Sequence, residues 1–180
     1  MKIYSCDVMI DIECLGVGPD ALILTIAAVA FDPFSNRIDQ EHSMYFRIDP
    51  ESQPDRGIDD ATVEWWSKQP KIAQEEAFSE DDRVPLKDAL EKLSSLIWRS
   101  NRIWANGITY DMTILEHAYK QYGINLPWQY YRVMDARTVF KMLPSLGKPK
   151  NNHHAFYDCV NQIEMLQETF HHFNIQELGK

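Results

Sequence analysis

A seven-residue stretch near the N-terminus constrains this chain most. Asp7-Val8-Met9-Ile10-Asp11-Ile12-Glu13 alternates apolar and acidic residues at period two, the spacing of a β-strand. On a strand, Val8, Ile10 and Ile12 line one apolar face, while Asp11 and Glu13 share the other, about 6 to 7 Å apart along the chain. Two carboxylates so placed in a partly buried position repel one another, and a cation between them relieves the repulsion. On an edge strand the same pair would point into solvent, and the pattern alone allows both arrangements.

The segments that follow predict what surrounds this strand. Ala21 to Phe31 carries Leu22, Ile23, Leu24, Ile26, Val29 and Phe31, which suits a well-buried strand ending at the Asp32-Pro33 turn. Ser43 to Asp49 is a third strand, completing an antiparallel meander. Asp59 and Asp60 cap a helix that carries Val63, Trp65 and Trp66 and stops near Pro70. Pro85 opens a second helix with Leu86, Ala89, Leu90, Leu93 and Ile97 at helical spacing. Strand and helix then alternate: a strand from Arg102 to Asn106, a helix from about Asp111 to Tyr122, a strand from Tyr130 to Met134 and a helix from near Asp135. A loop from Leu143 to Asn152 precedes a last helix over roughly His153 to Phe173. A meander followed by strand-helix units indicates an α/β class fold, a mixed central sheet with helices on both faces. With 180 residues, 44% of them hydrophobic, the whole chain is expected to form a single domain.

Two further segments place polar groups at element ends. In Asn106-Gly107-Ile108-Thr109-Tyr110-Asp111 a strand ends, the chain turns at glycine, and Asp111 opens a helix, where a capping role is the bland reading. In His153-His154-Ala155-Phe156-Tyr157-Asp158, His153 sits at or before the first turn of the last helix and Asp158 one turn in, so both can address a cleft at the helix start, or merely cap it. Three or four carboxylates without an obligatory His or Cys suit hard cations such as Mg²⁺ or Mn²⁺ better than zinc. Two such cations can stabilise the attacking and leaving oxygens of a phosphodiester displacement, and a nearby imidazole can take the proton of the attacking water. His153 is the candidate for that general base.

The segments Met9 to Gly16, Asn106 to Asp111 and His153-x4-Asp158 resemble the three motifs of the DEDDh 3′-5′ exonucleases, the proofreading-exonuclease family. Leu22 to Asp32, the Trp65-Trp66 helix and Asp135-Ala136-Arg137-Thr138 look like the phage, prophage and mycobacterial subgroup described as 3′-5′ exoribonucleases. The resemblance implies a ribonuclease H-like fold in which Asp11, Glu13 and Asp158 hold one metal, Asp11 also contacts a second, Asp111 supports that one through water, and His153 activates the nucleophilic water. The implied substrate is single-stranded RNA or DNA with a free 3′ end, and the implied product a 5′-mononucleotide. Cys14, Leu15, Gly16 and Asn106 fall in motif positions near the terminal nucleotide. Leu15 resembles the apolar residue that packs on its base, and Cys14 stands where the family more often has Thr or Ser. A catalytically silent binding module on the same fold, and a phosphohydrolase of short oligonucleotides, are the competing functions.

The formal charge of -9 runs against nucleic-acid binding, since affinity for a polyanion usually comes from Lys and Arg. Carboxylates gathered around cations cancel locally, however, and much of the remaining acidity lies in Glu75 to Asp82, which reads as a solvated run. Arg132, Arg137, Lys141, Lys148 and Lys150 stand against the single acid Asp135 just before the His153 segment. This stretch suits backbone-phosphate contact or an ordinary solvated face, with Arg137, Lys148 and Lys150 the preferred contacts. Trp65 and Trp66 are candidates for base stacking, although adjacent residues cannot share one helix face and at least one belongs in the core. His154 is assigned to the surface or a helix end. Cys6, Cys14 and Cys159 lack CxxC spacing and read as reduced thiols. With no apolar run near the about 18 residues of a membrane span, a cytoplasmic protein is expected, and homo-oligomerisation is left open.

Overall fold

The computed structural model describes residues 6–147 and 153–179. Strands β1 (Asp7–Cys14), β2 (Ile23–Phe31) and β3 (Ile38–Ile48) form the antiparallel meander. Helices α1 (Asp60–Ser67) and α2 (Lys71–Phe78), the two-residue strand β4 (Arg83–Val84) and α3 (Leu86–Ile97) follow. Then come β5 (Ile103–Ala105), α4 (Asp111–Gln121), β6 (Val133–Asp135), α5 (Ala136–Phe140) and α6 (Ala155–His172). The sheet order is β4-β3-β2-β1-β5-β6, with β5 parallel to β1 and β6 parallel to β5. β1 is therefore paired on both sides over Val8–Ile10, and Asp11 and Glu13, just beyond that stretch, are partly buried rather than pointing into solvent.

The period-two pattern of β1 and β2 divides the core. Val8, Ile10 and Ile12 with Ile26, Ala28 and Ala30 pack against α3 and α4, while Met9 with Ala27, Val29 and Phe31 packs against α5 and α6. Both faces of β2 are buried along its whole length, which is why it reads as a continuous apolar run rather than an alternation. Small side chains at Ala27 and Ala28 let helices approach closely, and the Cys159 thiol of α6 lies 3.6 Å from the Met9 carbonyl. Helices thus cover both faces of a mixed sheet, as expected.

Three sequence expectations change, the first being the strand expected over Tyr130 to Met134: Tyr130–Arg132 form a 3-10 turn, and pairing with β5 begins only at Val133. The acidic run from Glu75 begins inside α2, where Ala73 and Ala77 are buried beside Trp66 and Leu15, and Glu76 is bound by Tyr45 and Arg47 rather than simply solvated. The third strand begins at Ile38, earlier than Ser43, because exposed polar residues in its first half conceal a ladder set by pairing with β2.

One buried charge away from the cleft matters for stability. Asp7 is fully buried, accepts a hydrogen bond from Trp104 Nε1 at 2.7 Å and faces Arg102 Nη1 at 3.6 Å. Burial pushes its carboxyl up, and Trp104 and Arg102 oppose that shift. Arg102 also donates to the Leu178 carbonyl, tying down the C-terminal segment. Arg102→Ala leaves Asp7 without its cation and is expected to cost about 3 kcal/mol in denaturant unfolding, the low end for a broken buried pair because Trp104 still donates. A loss below about 1 kcal/mol would show that the pair contributes little.

Candidate active site

The site forms where β1 outruns its neighbour. β5 ends at Ala105, one pair beyond Trp104 and opposite Ile10, and on that side the Ile12 N–H donates instead to Asp111 Oδ1 at 3.3 Å. Asp111 is the first residue of α4, 4% exposed, and its side chain reaches back to β1. The turn that brings it there needs glycine: Gly107 has φ +122°, and a Cβ on it would lie 2.9 Å from Arg137 Nη2. That guanidinium group donates to the Asn106 carbonyl at 2.8 Å, joining the α5 start to the end of β5.

From the other direction α6 delivers Asp158. Its apolar face packs on β1 and β2 through Cys159, Ile163, Leu166 and Phe170, which fixes the helix so that Asp158 and Gln162, one turn apart, face Asp11. Gln162 Nε2 donates to Asp11 Oδ1 at 2.9 Å. Oxygens of Asp11, Glu13 and Asp158 lie within 4.8 Å of one another. His153 precedes α6 in a left-handed backbone conformation, φ +51°. Its Nδ1 lies 3.9 Å from Glu13 Oε1, and its ring packs edge-on against Trp65, centroids 4.8 Å apart.

Electrostatics follow from this crowding. Burial pushes the Asp11 carboxyl well above the usual range, and the charges of Asp111 and Glu13 add to the effect against the opposing Gln162 hydrogen bond. Glu13 is raised to about 8, by burial and then by Asp158 and Asp111. Asp111 is raised to about 7 by burial, with the Ile12 hydrogen bond working the other way. His153 is lowered by burial, with Asp158 opposing. Anions held this close are most stable around a cation, and their all-oxygen donor set fits a hard divalent ion.

A cleft of about 480 Å³ opens over these groups. Asp11, Glu13, Asp111, His153 and Asp158 all line it, as do Cys14, Asn106, Trp65 and Arg137. Three sequence candidates lie elsewhere. Leu15 is 9% exposed and packs with Leu22, Leu24 and Trp66 under α1 and α2. Trp66 is 2% exposed, with its indole N–H bound to the Cys14 carbonyl. Gly16 lies behind the wall, its carbonyl accepting from the Tyr110 hydroxyl at 3.2 Å. The apolar rim is formed instead by Trp65 and by Val17, which is 73% exposed and was missed in the sequence. Arg132 is turned away from the cleft, bonding the Asn101 carbonyl and Ser100, and Lys148 and Lys150 lie outside the described residues. His154 is half-buried, stacked on Tyr45. All three cysteines are free thiols.

An exodeoxyribonuclease of Enterobacteria phage T4 is 28% identical over 89% of this chain and 87% of its own length. Cell-death related nuclease 4 superposes with a TM-score of 0.63 at 16% identity over 94% of this chain and 64% of its own. The zinc-bound complex of E. coli exonuclease I with single-stranded DNA superposes with a TM-score of 0.72 at 15% identity, covering 96% of this chain. This chain spans about two fifths of exonuclease I, 42% of its length. These likenesses establish the ribonuclease H-like fold. The model of the 3′-5′ exoribonuclease Rv2179c-like domain matches residues 6–170, from the strand bearing Asp11 and Glu13 through most of the helix bearing Asp158, and the chain belongs to that family of 3′-5′ exonucleases.

Proposed function

We propose that this chain, as one domain, hydrolyses the terminal phosphodiester of single-stranded RNA or DNA from a free 3′ end and releases 5′-mononucleotides. The observation that carries this reading is the meeting of Asp11, Glu13 and Asp158 within 4.8 Å beneath His153. Asp11, Glu13 and Asp158 would hold one divalent cation, Mg²⁺ or Mn²⁺, and Asp11 with Asp111 a second. Bound there, the cations supply charge neutralisation to the attacking and leaving oxygens of an in-line displacement. His153 accepts the proton of the attacking water, helped by burial that keeps its imidazole neutral near pH 7. The leaving group is the 3′-oxygen of the shortened strand. Arg137, beside Asn106 on the cleft wall, is placed to bind a phosphate, while Val17 and Trp65 offer apolar surface to the terminal base. Cys14 lines the cleft yet is 2% exposed, and three reduced cysteines suit a cytoplasmic setting. No described helix is long and apolar enough to cross a membrane.

The test is digestion of 3′- and 5′-labelled RNA and DNA of several lengths with Mg²⁺ or Mn²⁺. Stepwise release of mononucleotides from the 3′ end is expected, and it stops in chelator. Activity confined to di- and trinucleotides would replace the reading with that of a short-oligonucleotide phosphohydrolase. No release from any substrate would overturn it.

A further inference from the structure

Beside the cleft, three elements meet on one carboxylate. Glu76 of α2 accepts from the Tyr45 hydroxyl at 2.7 Å and from Arg47 Nη2 at 2.6 Å, while Arg47 Nε donates to the Glu76 carbonyl at 3.2 Å. The same carboxylate oxygen faces His154 Nε2 at 3.7 Å. The His154 ring stacks on Tyr45, centroids 4.7 Å apart, and leans on Tyr157 at 4.5 Å. Burial works against the charge on Glu76, yet the Tyr45 hydroxyl and Arg47 hold its carboxyl below the usual range, so it is a fixed anion. His154 is the residue next to His153, which carries a left-handed backbone that a non-glycine residue keeps only where its surroundings impose it.

We propose that Glu76 is a positioning residue for His153: with Tyr45 and Arg47 it anchors His154, and through that neighbour it sets the backbone on which the His153 imidazole is carried. The inference rests on the reading of His153 as general base. Trp65 meets the His153 ring edge-on at 4.8 Å, while the Glu76 group fixes the chain behind it. Glu76 touches no reacting atom and lines no part of the cleft. A shift of about 1 Å in a catalytic group costs on the order of a hundredfold in rate, so a clamp at this distance has a measurable consequence.

The test is a double-mutant cycle read as steady-state kcat and KM on a 3′-labelled oligonucleotide with saturating metal. Glu76→Ala is expected to lower kcat about 10- to 100-fold with KM changed less than about twofold. In the His153→Ala background the same substitution is expected to change the residual rate less than about twofold, because it acts through the missing imidazole. Glu76→Gln retains an acceptor for Tyr45 and Arg47 and should keep most of the wild-type rate. Tyr45→Phe preserves the ring stacked on His154 and deletes only the hydroxyl, so it gives an intermediate loss if Glu76→Ala is too unstable to assay. Equal losses from Glu76→Ala in both backgrounds, or a change confined to KM, would overturn the proposal. Full activity of His153→Ala would instead remove the general-base reading, an outcome the cycle reports separately.

Discussion

Glu13→Gln is expected to lower the rate of mononucleotide release by about a thousandfold, the upper end for losing one electrostatic contribution to a transition state, here that of the cation Glu13 would help to hold, and at the same time to raise the melting temperature of the metal-free protein. Both effects have one cause. Glu13 is packed against Asp11 and Asp158 with oxygens within 4.8 Å, and burial with the charges of Asp158 and Asp111 pushes its carboxyl from 4.5 to about 8. A carboxyl raised in the folded state keeps a proton that the unfolded chain has lost. Its contribution to stability is therefore complete below about pH 4 and disappears as pH rises through about 8. Asp111, raised from 3.8 to about 7, acts in the same direction. In chelator the wild type should thus melt lower at pH 8 than at pH 5, and Glu13→Gln should flatten that dependence and melt higher at pH 8 by about 3 °C or more. Added Mg²⁺ or Mn²⁺ should raise the wild-type melting temperature more at pH 8 than at pH 5, since binding requires ionised ligands. A Glu13→Gln protein that melts below wild type in chelator at pH 8 would mean that the carboxylates do not repel as argued.

Such a trade of stability for function explains why β1 was the most legible part of the chain. Acidic residues on an otherwise buried face violate the strand pattern, and the violation is visible in seven residues. Asp111 and Asp158 were weaker signals because each also fits a helix start. What separates them from caps is long-range: Asp111 binds the Ile12 N–H across the sheet, and Asp158 is delivered by the packing of α6 on β2. Strand order was not legible, since β5 joins β1 through pairing rather than proximity in sequence.

The errors around the rim share a physical origin. α2 carries its buried face on two alanines, Ala73 and Ala77, and leaves Ile72 77% exposed, so its apolar periodicity is faint. Leu15, placed in the cleft by its resemblance to a base-packing residue, lies under that helix, and missing the helix hides what covers it. The same omission hides Glu76 as well, whose partners Tyr45 and Arg47 lie about thirty residues earlier, on β3. His154 follows the same logic: assigned from sequence to the surface or a helix end, it is half-buried because it stacks on Tyr45 and leans on Tyr157.

His153→Ala is expected to reduce kcat by about 10² to 10⁴, the usual range for a general base, while leaving the metal-dependent rise in melting temperature intact. His153 stands at the rim, with its Nδ1 3.9 Å from Glu13, so a loss of activity alone does not separate proton transfer from disturbed metal binding. Retained metal stabilisation makes the separation. The pH profile adds a second one. Burial holds the imidazole below its ordinary 6.5, with Asp158 opposing, and nearby bound cations would press it further in the same direction. The acid limb of the wild-type rate at saturating metal should therefore lie below pH 6.5, with activity lost as pH falls through the imidazole pKa. In His153→Ala the residual rate should lose that limb. Were the variant to keep its limb, another group would be taking the proton, and the imidazole would serve only to hold Trp65 against the cleft.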